Sequence, residues 1–308
     1  MAIPKTKVDQ TPIIFTSAHR VNIPLRVTVV GAGGTGGRVI PPMMQMLRRN
    51  DTVCIVDGDH VEDRNLARQN FRARDVGENK AEVMARRYHR DGITTHAYAS
   101  MLTEETSTDI THDPATPEHA RIILGCVDNW RARQTMDALL WNTAIRGPVA
   151  WIDGGNERRG GQVLLNFRGW PCKVTGPNDP NTGAQGSESF THQAAFQLRG
   201  MLALPQLLSA QNWHCDRCDV NNLGERATCV QCNQPEASCQ DRIDLQTVTV
   251  NQLSATCILN VLSCLLYQIP MSSCGAFFSV LNTMSPIGLK SIDWSNMRIH
   301  PDTTYADN

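Results

Sequence analysis

A glycine-rich segment, GAGGTG at positions 31–36, is the feature that most limits how this chain can fold. The preceding residues, LRVTVVG, predict a buried strand, and the following residues, VIPPMMQMLRR, predict a helix. Gly31, Gly33 and Gly36 have the spacing that allows a tight turn, a close approach of the backbone to a phosphate, and packing of the next helix. The order strand, glycine loop, helix therefore favours nucleotide binding over a merely tight turn.

Strand-like and helix-like segments continue to alternate after this loop. TVCIVDG, TTHAYAS and ARIILGCVD predict strands, whereas NKAEVMARRYHR and WRARQTMDALLWNTA predict helices. Pro41 and Pro42 are expected to disturb or delay the first turn of the helix after the glycine loop. The alternation predicts an α/β fold with a doubly wound, mostly parallel sheet.

The second half of the chain changes in composition. PVAWIDGGNERRGGQVLLNF predicts two strands joined by a turn, and Pro171 to about Ser189 is rich in Pro, Gly, Asn and Ser, which predicts a mobile loop. A long apolar helix, VTVNQLSATCILNVLSCLLYQI, and a strand near AFFSVLN follow. The predicted parts are an N-terminal extension (1–24), a nucleotide-binding core (25–170), a loop and helix (171–212), a cysteine module (213–238) and a C-terminal part with a loop, the apolar helix and a strand (239–308).

Charge and hydropathy argue against several classes of protein. Lys and Arg number 29 against 30 Asp and Glu, so the bulk charge gives no reason to expect binding to nucleic acid or to an anionic membrane. The N-terminus lacks the apolar centre of a secretory signal, and no run approaches about 18 apolar residues, the length of a membrane span. A cytoplasmic location is expected, so the 11 cysteines are expected to be metal ligands, a nucleophile and buried apolar side chains rather than disulfides.

Polar residues after the second predicted strand exceed what a dinucleotide needs. Asp57 ends that strand, where a carboxylate can accept hydrogen bonds from ribose hydroxyls. Arg68 and Lys80 suit the neutralisation of a triphosphate and of its leaving pyrophosphate, which a nicotinamide cofactor does not require. Asp59, Asn65 and Gln69 complete the set, and loop capping is the alternative role for each of these three.

Another carboxylate follows the fourth predicted strand. The sequence GCVDNWRARQ places Asp128, with Asn129 beside it, at the carboxyl edge of the sheet. Open α/β sheets bind ligands at this edge, and Mg²⁺ takes few protein ligands and several phosphate oxygens. Asp128 is therefore a candidate magnesium ligand.

Four ordered segments carry a resemblance to a known family. VVGAGGTGG, VDGDHVEDRNLARQNF, DVGENKAEV and CVDNWRARQ resemble the ThiF/MoeB and ubiquitin-activating-enzyme superfamily over roughly residues 25 to 165. WIDGGNERRGGQVLL, a late SC and the apolar helix are most similar to bacterial ThiF-type proteins of PRTRC and related ubiquitin-like operons. The resemblance implies adenylation of the C-terminal glycine of a ubiquitin-like protein with Mg-ATP, and in many members transfer of the activated carboxyl to a cysteine.

The resemblance also assigns expected roles and partners. Asp57 would contact the ribose and Asp128 the magnesium ion. The residues expected around the phosphates are Gly31, Gly33, Gly34, Gly36, Asp59, Asn65, Arg68, Gln69, Lys80 and Asn129. A homodimer is expected, with Arg20 as the candidate for an arginine that reaches the partner protomer's ATP, and a conjugating-enzyme-like protein is a further expected partner.

Two cysteine pairs indicate a metal site. Cys215 and Cys218 form one C-x2-C pair, and Cys229 and Cys232 form the second. Four thiolates at this spacing predict a closed structural zinc site, with four reduced buried thiols as the alternative. The spacing also matches the Ran-binding-protein type of zinc finger, so a surface that docks a ubiquitin-like protein is the second interpretation after a stabilising role.

Cys239 is the candidate nucleophile. It lies in a polar segment before the apolar helix, where Arg242 or a helix N-terminus would lower its pKa, although Glu236 and Asp241 would act in the opposite direction. Cys172 is the second candidate. Core packing is expected for Cys54, Cys126, Cys257 and Cys264.

Three other functions remain open. The chain could adenylate a carrier without a thioester step, as in sulfur-carrier activation or tRNA modification. It could be a non-catalytic adaptor whose zinc finger binds RNA or ubiquitin-like proteins. It could also be an NAD-dependent oxidoreductase, a reading that Arg68, Lys80 and Asp128 disfavour.

Overall fold

A computed structural model of the chain describes residues 13–15, 24–111, 120–127, 129–142, 145, 147–156, 160–176, 190–198, 213–215, 220–222, 230–232, 248–279, 288–293 and 300–301. The helices are α1 (Gly36–Met46), α2 (Asp63–Leu66), α3 (Lys80–Arg87), α4 (Glu104–Thr111), α5 (Trp130–Trp141) and α6 (Val248–Tyr267). The strands are β1 (Ile13–Phe15), β2 (Leu25–Val30), β3 (Thr52–Val56), β4 (Thr94–Tyr98), β5 (Ala120–Gly125), β6 (Val149–Asn156), β7 (Gly160–Gly176), β8 (Phe190–Leu198), β9 (Trp213–Cys215), β10 (Val220–Asn222), β11 (Ser273–Ser279), β12 (Gly288–Asp293) and β13 (His300–Pro301).

One sheet organises the fold, and its main path runs β12-β11-β7-β6-β5-β2-β3-β4. The strands from β4 to β6 along this path pair in parallel, whereas β7, β11 and β12 pair antiparallel. The predicted mostly parallel α/β core is therefore confirmed. Because β2 pairs with β3 on one side and with β5 on the other, the order of the strands reverses between β2 and β5, and ligands bind at such switch points.

The central strands β2 and β5 are mostly apolar, with Arg26, Thr28 and Arg121 as the buried exceptions, because both of their faces are covered. Every residue of β2 and β5 is buried. Helices α1, α3, α5 and α6 contact strands of this sheet. Strands buried on both faces read as unbroken apolar runs instead of alternating ones, which is why the sequence predicted them well.

Helix α1 begins at Gly36 and contains Pro41 and Pro42 in its interior. The expectation that these prolines would disturb or delay the first turn is therefore wrong. Pro41 has no N–H to donate to the Gly37 carbonyl, four residues earlier. The Nδ2 of Asn70 donates to this oxygen instead, at 3.2 Å.

Asn70→Ala is expected to lower the free energy of unfolding by about 1 kcal/mol, because the Gly37 carbonyl loses its donor. Urea unfolding measures this change. In a Pro41→Ala background the residue-41 N–H is available to the carbonyl, so Asn70→Ala should cost less there. Tyr88→Phe controls for the second hydrogen bond of Asn70 Nδ2, to the Tyr88 hydroxyl at 2.7 Å. An equal cost in both proline backgrounds would contradict this account of the helix.

Strand β7 continues further than the sequence predicted. Its residues up to Gly176 pair with β8, and Cys172 is paired with Phe15 of β1 as well as with Ala194 of β8. The loop prediction is therefore wrong for residues 171–176, because β8 pairs with all of them and β1 pairs with residues 172–174. The rest of the predicted loop, residues 177–189, lies outside the described residues.

Helix α6 is the predicted long apolar helix, and it contacts β6, β7 and α1. By length and composition alone it is apolar enough to cross a membrane. Half of its most apolar 18-residue segment is buried in the fold. The sequence-based statement that no run approaches the length of a membrane span is corrected accordingly. The contacts of α6 with the sheet account for its apolar composition, since a buried core helix has the same composition.

Candidate functional site

The glycine loop follows β2 at the switch point, and two of its glycines fix its shape. Gly31 has a φ of +92°, and a Cβ on it would lie 2.8 Å from the carbonyl oxygen of Cys126. A Cβ on Gly36 would lie 1.8 Å from the carbonyl oxygen of Gly31. No residue with a side chain fits at either position, which confirms the tight turn that the spacing predicted.

The carboxylate of Asp57, at the end of β3, closes the glycine loop by hydrogen bonding. Its Oδ2 accepts a hydrogen bond from the Ala32 N–H at 2.7 Å, and its Oδ1 accepts one from the Asp59 N–H at 2.9 Å. Burial raises the pKa of the Asp57 carboxyl above its usual value, while the Ala32 N–H and the charge of Lys80 act in the opposite direction. Each carboxylate oxygen has a second lone pair with which it can accept a ribose hydroxyl.

A buried cation lies next to this carboxylate. Lys80 is 3% exposed, and its Nζ lies 2.9 Å from Oδ2 of Asp59. Asn79 positions Lys80, because its side chain caps α3, the helix that Lys80 begins. The Nδ2 of Asn79 also donates to the carbonyl oxygens of Asp57 at 2.8 Å and Asp59 at 3.0 Å. Sequence reasoning missed Asn79, although an Asn directly before a predicted helix is an N-cap signal.

Arg38 is a further residue of the site that the sequence did not single out. Its Nη1 donates to the Gly34 carbonyl at 2.5 Å and its Nη2 to the Arg68 carbonyl at 2.8 Å. Burial lowers the pKa of the Arg38 guanidinium below its usual value. The amide of Gln69 lies against the loop, since a Cβ on Gly33 would be 3.6 Å from its Nε2. Arg38 thus fastens the predicted Arg68–Gln69 segment to the glycine loop.

Two predicted site residues are helix caps. The Oδ1 of Asn65 accepts a hydrogen bond from the Glu62 N–H at 3.0 Å in a capping box of α2. The Oδ1 of Asn129 accepts one from the Ala132 N–H at 2.8 Å and caps α5. The capping alternative is therefore confirmed for Asn65, whereas Asp59 is instead the partner of Lys80.

A buried ion pair lies beside the carboxyl ends of β5 and β6. The Nε of Arg133 donates to Oδ2 of Asp153 at 2.9 Å, and its Nη2 donates to the Val127 carbonyl at 2.9 Å. Asp153 is fully buried, and burial raises its pKa while the Arg133 guanidinium opposes that shift. Arg133 therefore braces the segment that leads from β5 towards position 128.

Burial disfavours a nucleophilic role for the cysteines in the described core. Cys54, Cys264 and Cys274 are buried. Burial raises the pKa of the Cys126, Cys257 and Cys264 thiols above the usual value. The prediction of core packing for Cys54 and Cys264 is confirmed, and the raised pKa values disfavour thiolate chemistry at Cys126 and Cys257.

Several predicted residues lie outside the described ranges: Arg20, Asp128, Cys218, Cys229 and Cys239. Cys215 ends β9, where it pairs with Val220 of β10, and Cys232 is half-buried. Among the residues that the structure describes, no three His, Cys, Asp or Glu side chains form a metal-binding group. With two of its four ligands outside those ranges, the zinc site stays a prediction.

The glycine loop, the half-buried carboxylate of Asp57 and the buried lysine at the switch point define a nucleotide-binding α/β protein. The model of the ThiF family matches residues 22–304. The chain therefore belongs to the ThiF family, whose members are adenylating enzymes.

Among the solved structures with similar folds, two match most of this chain and a third matches less than half of it. The crystal structure of PaaA has 15% sequence identity and a TM-score of 0.49, covering 87% of this chain and 64% of PaaA. The E. coli MccB structure with ATP has 16% identity and a TM-score of 0.45, covering 87% of this chain and 63% of MccB. E. coli tRNA N6-threonylcarbamoyladenosine dehydratase, TcdA, has 20% identity and a TM-score of 0.34, covering 41% of this chain and 51% of TcdA.

The chain thus spans less than two thirds of the length of PaaA and of MccB. No curated protein sequence matches it at a significant level.

Proposed function

We propose that this protein uses ATP to adenylate the C-terminal carboxylate of a ubiquitin-like protein that ends in glycine. The observation that carries the proposal is the position of the buried Lys80, paired with the half-buried Asp59, next to a glycine loop that Asp57 closes. A carboxylate oxygen of the partner's terminal glycine attacks the α-phosphorus of ATP. The bond between that phosphorus and the bridging oxygen to the β-phosphate breaks, pyrophosphate leaves, and an acyl-adenylate remains.

The residues around the loop divide the work of binding ATP. The N–H groups of residues 33–36 face the phosphates, because those of Gly37 and Arg38 already donate to the carbonyl oxygens of Gly33 and Thr35, both at 2.9 Å. Asp57 accepts hydrogen bonds from the ribose hydroxyls, and Lys80 stabilises the negative charge that develops on the departing pyrophosphate. Mg²⁺, when bound, neutralises phosphate charge, and Asp128 is the residue that would hold it.

A cysteine step completes the proposal. The thiolate of Cys239 attacks the carbonyl carbon of the acyl-adenylate, AMP leaves, and the partner is held as a thioester. Cys172 is a weaker candidate, because strands pair with its backbone on both sides. Adenylation without this step, for sulfur transfer or tRNA modification, is compatible with the same ATP site.

The cysteine module is proposed to bind zinc through Cys215, Cys218, Cys229 and Cys232. The hairpin of β9 and β10 supports this proposal, since Cys215 ends one strand and Cys218 falls in the connection to the next. Metal analysis of the purified protein should give about one zinc per chain. Cys232→Ser should lower that ratio, and a chain that carries no zinc after growth in zinc-supplemented medium would contradict the proposal.

ATP–pyrophosphate exchange tests the adenylation step with candidate small proteins that end in glycine. The wild type should exchange only when its partner is present, and Lys80→Ala should reduce the rate at least about tenfold, because the pyrophosphate loses a buried cation. Lys290→Ala removes an exposed lysine on β12 and is the matched control, with no change expected. Cys239→Ala should keep the exchange and lose a thiol-sensitive adduct with the partner, whereas Cys172→Ala should keep both.

The rival functions predict different results. Nicotinamide oxidation or reduction without pyrophosphate exchange would identify an oxidoreductase. Tight binding of RNA or of the ubiquitin-like protein without ATP turnover would identify an adaptor. Exchange with the partner but no adduct in the wild type would leave adenylation without a thioester step.

A further inference from the structure

Helix α6 contacts the glycine loop through Asn251, which is 1% exposed. The Oδ1 of Asn251 accepts a hydrogen bond from Nδ2 of Asn156 at 2.9 Å. The same Nδ2 donates to the hydroxyl oxygen of Thr35 at 2.6 Å. These three side chains, Thr35, Asn156 and Asn251, form an amide bridge that joins the glycine loop, the end of β6 and the start of α6.

Asn251 also touches the loop directly. Its Nδ2 lies 2.5 Å from the point where a Cβ on Gly34 would stand, so the absence of a side chain at Gly34 makes room for the amide. This Nδ2 is buried and has no hydrogen-bond partner among the described residues. An unused buried donor costs on the order of 1–3 kcal/mol, a cost that an apolar side chain at this position would avoid. What the amide provides instead is the acceptor for Asn156 and a close polar contact with the loop.

We propose that Asn251 is a positioning residue that holds the glycine loop in the conformation that accepts phosphate. Asn156 shares one Nδ2 between two acceptors, so the orientation of its amide, and with it the Thr35 hydroxyl, depends on Asn251. Thr35 directly precedes α1 and lies in the segment 33–36, whose N–H groups are those expected to face the phosphates. This inference rests on the proposed function, because it concerns how the loop binds ATP.

Ser254 provides a matched control on the same helix. It lies three residues after Asn251, is fully buried, and its Oγ also lacks a hydrogen-bond partner in the part of the chain that the structure describes. It faces Gly154 of β6, at 3.1 Å from the Cβ that position would carry, and its hydroxyl makes no hydrogen bond to the glycine loop as the structure describes it. Ser254→Ala therefore changes the packing of α6 without changing the amide bridge.

Hydrogen–deuterium exchange in the ATP-free protein tests the positioning role directly. Asn251→Ala should speed exchange of the amides between residues 31 and 38 at least about tenfold, because the bridge no longer holds the loop. Ser254→Ala should leave these amides unchanged. The inference is overturned if exchange in this segment is the same in Asn251→Ala and wild type, or if Ser254→Ala speeds it equally.

Kinetics separate positioning from a general loss of stability. Asn251→Ala should raise the KM for ATP at least about tenfold, with kcat within about twofold of wild type, while Ser254→Ala changes neither. Asn156→Ala should raise the KM for ATP by the same factor. The double variant of Asn156→Ala and Asn251→Ala should have a KM no higher than either single variant, since each substitution already removes the amide bridge. An unchanged KM would overturn the inference.

The proposed function can fail separately from the inference. If the wild type neither binds ATP nor exchanges pyrophosphate, the proposed function is wrong. The exchange rates of the loop amides in Asn251→Ala then still decide whether the amide bridge orders the loop.

Discussion

Gly33→Ala is expected to weaken ATP binding by about 100-fold, about 2.7 kcal/mol, while leaving the stability of the free protein unchanged. A Cβ on Gly33 would meet the Gln69 amide at 3.6 Å, an ordinary van der Waals distance, so the free protein can accommodate it. The bound phosphates need the backbone to approach without a side chain in between. Isothermal titration calorimetry with ATP, alongside thermal unfolding, measures both quantities on the same variant.

Two other glycines serve as controls for this result. Gly77 has a φ of +89° and no atom within 4 Å of its missing Cβ, so Gly77→Ala should lower stability by about 1–2 kcal/mol and leave ATP affinity intact. Gly36→Ala should prevent the loop from forming, since its Cβ would lie 1.8 Å from the Gly31 carbonyl oxygen. Unchanged ATP affinity in a folded Gly33→Ala protein would contradict a phosphate-binding role for this loop.

Arg133→Ala should lower the free energy of unfolding by about 3–5 kcal/mol, because it leaves the carboxyl of Asp153 buried without its partner. Asp153 is fully buried and Arg133 is 4% exposed, so water cannot take the place of the guanidinium. Chemical unfolding measures the change. The exposed pair of Arg86 and Glu78 is the control, and Arg86→Ala should leave the unfolding midpoint unchanged.

The cost of Arg133→Ala should increase with pH. Burial already raises the pKa of Asp153 in the folded protein, and removing Arg133 removes the group that opposes that shift. Below about pH 3.9, the value in an unfolded chain, the carboxyl is protonated in both states and adds no pH-dependent cost. From there to the pKa of Asp153 in the folded wild type, both proteins lose stability alike, because in both the unfolded state releases the proton first. Between that pKa and the higher pKa of the folded variant, only the variant goes on losing stability, by up to about 1.4 kcal/mol per pH unit.

Asp153→Asn in the Arg133→Ala background isolates this charge. The double variant should lose the extra dependence on pH between pH 5 and pH 8, because an amide does not titrate. If Arg133→Ala has the same cost at both pH values, the charge of Asp153 does not explain the loss of stability.

Sequence patterns predicted those parts of the site that depend on neighbours along the chain. The glycine loop follows an apolar strand and begins a helix, Asp57 ends the next strand, and Lys80 opens the helix after it. Parallel strands bring their carboxyl ends to one edge, so order along the chain was enough to predict that these groups meet.

Residues that act from another element were not predicted. Arg38 lies on α1 and reaches the Arg68 carbonyl, 30 positions away, whereas Asn251 lies on α6 and packs against Gly34. Nothing near either residue in the sequence marks these contacts. The same holds for the support that Asn70 gives to a helix containing Pro41, and for the pairing that makes residues 171–176 a strand despite their composition.

The sequence by itself determined the class of fold, the place of the glycine loop and the polar residues that gather beside it, because these follow from local periodicity and from glycine spacing. Only the tertiary structure showed which polar side chains cap helices, as with Asn65, and which buried groups contact the glycine loop, as with Asn251. The physical reason is that a hydrogen bond depends on distances of about 3 Å between atoms. Packing of the helices on the sheet sets those distances for residues far apart in the chain.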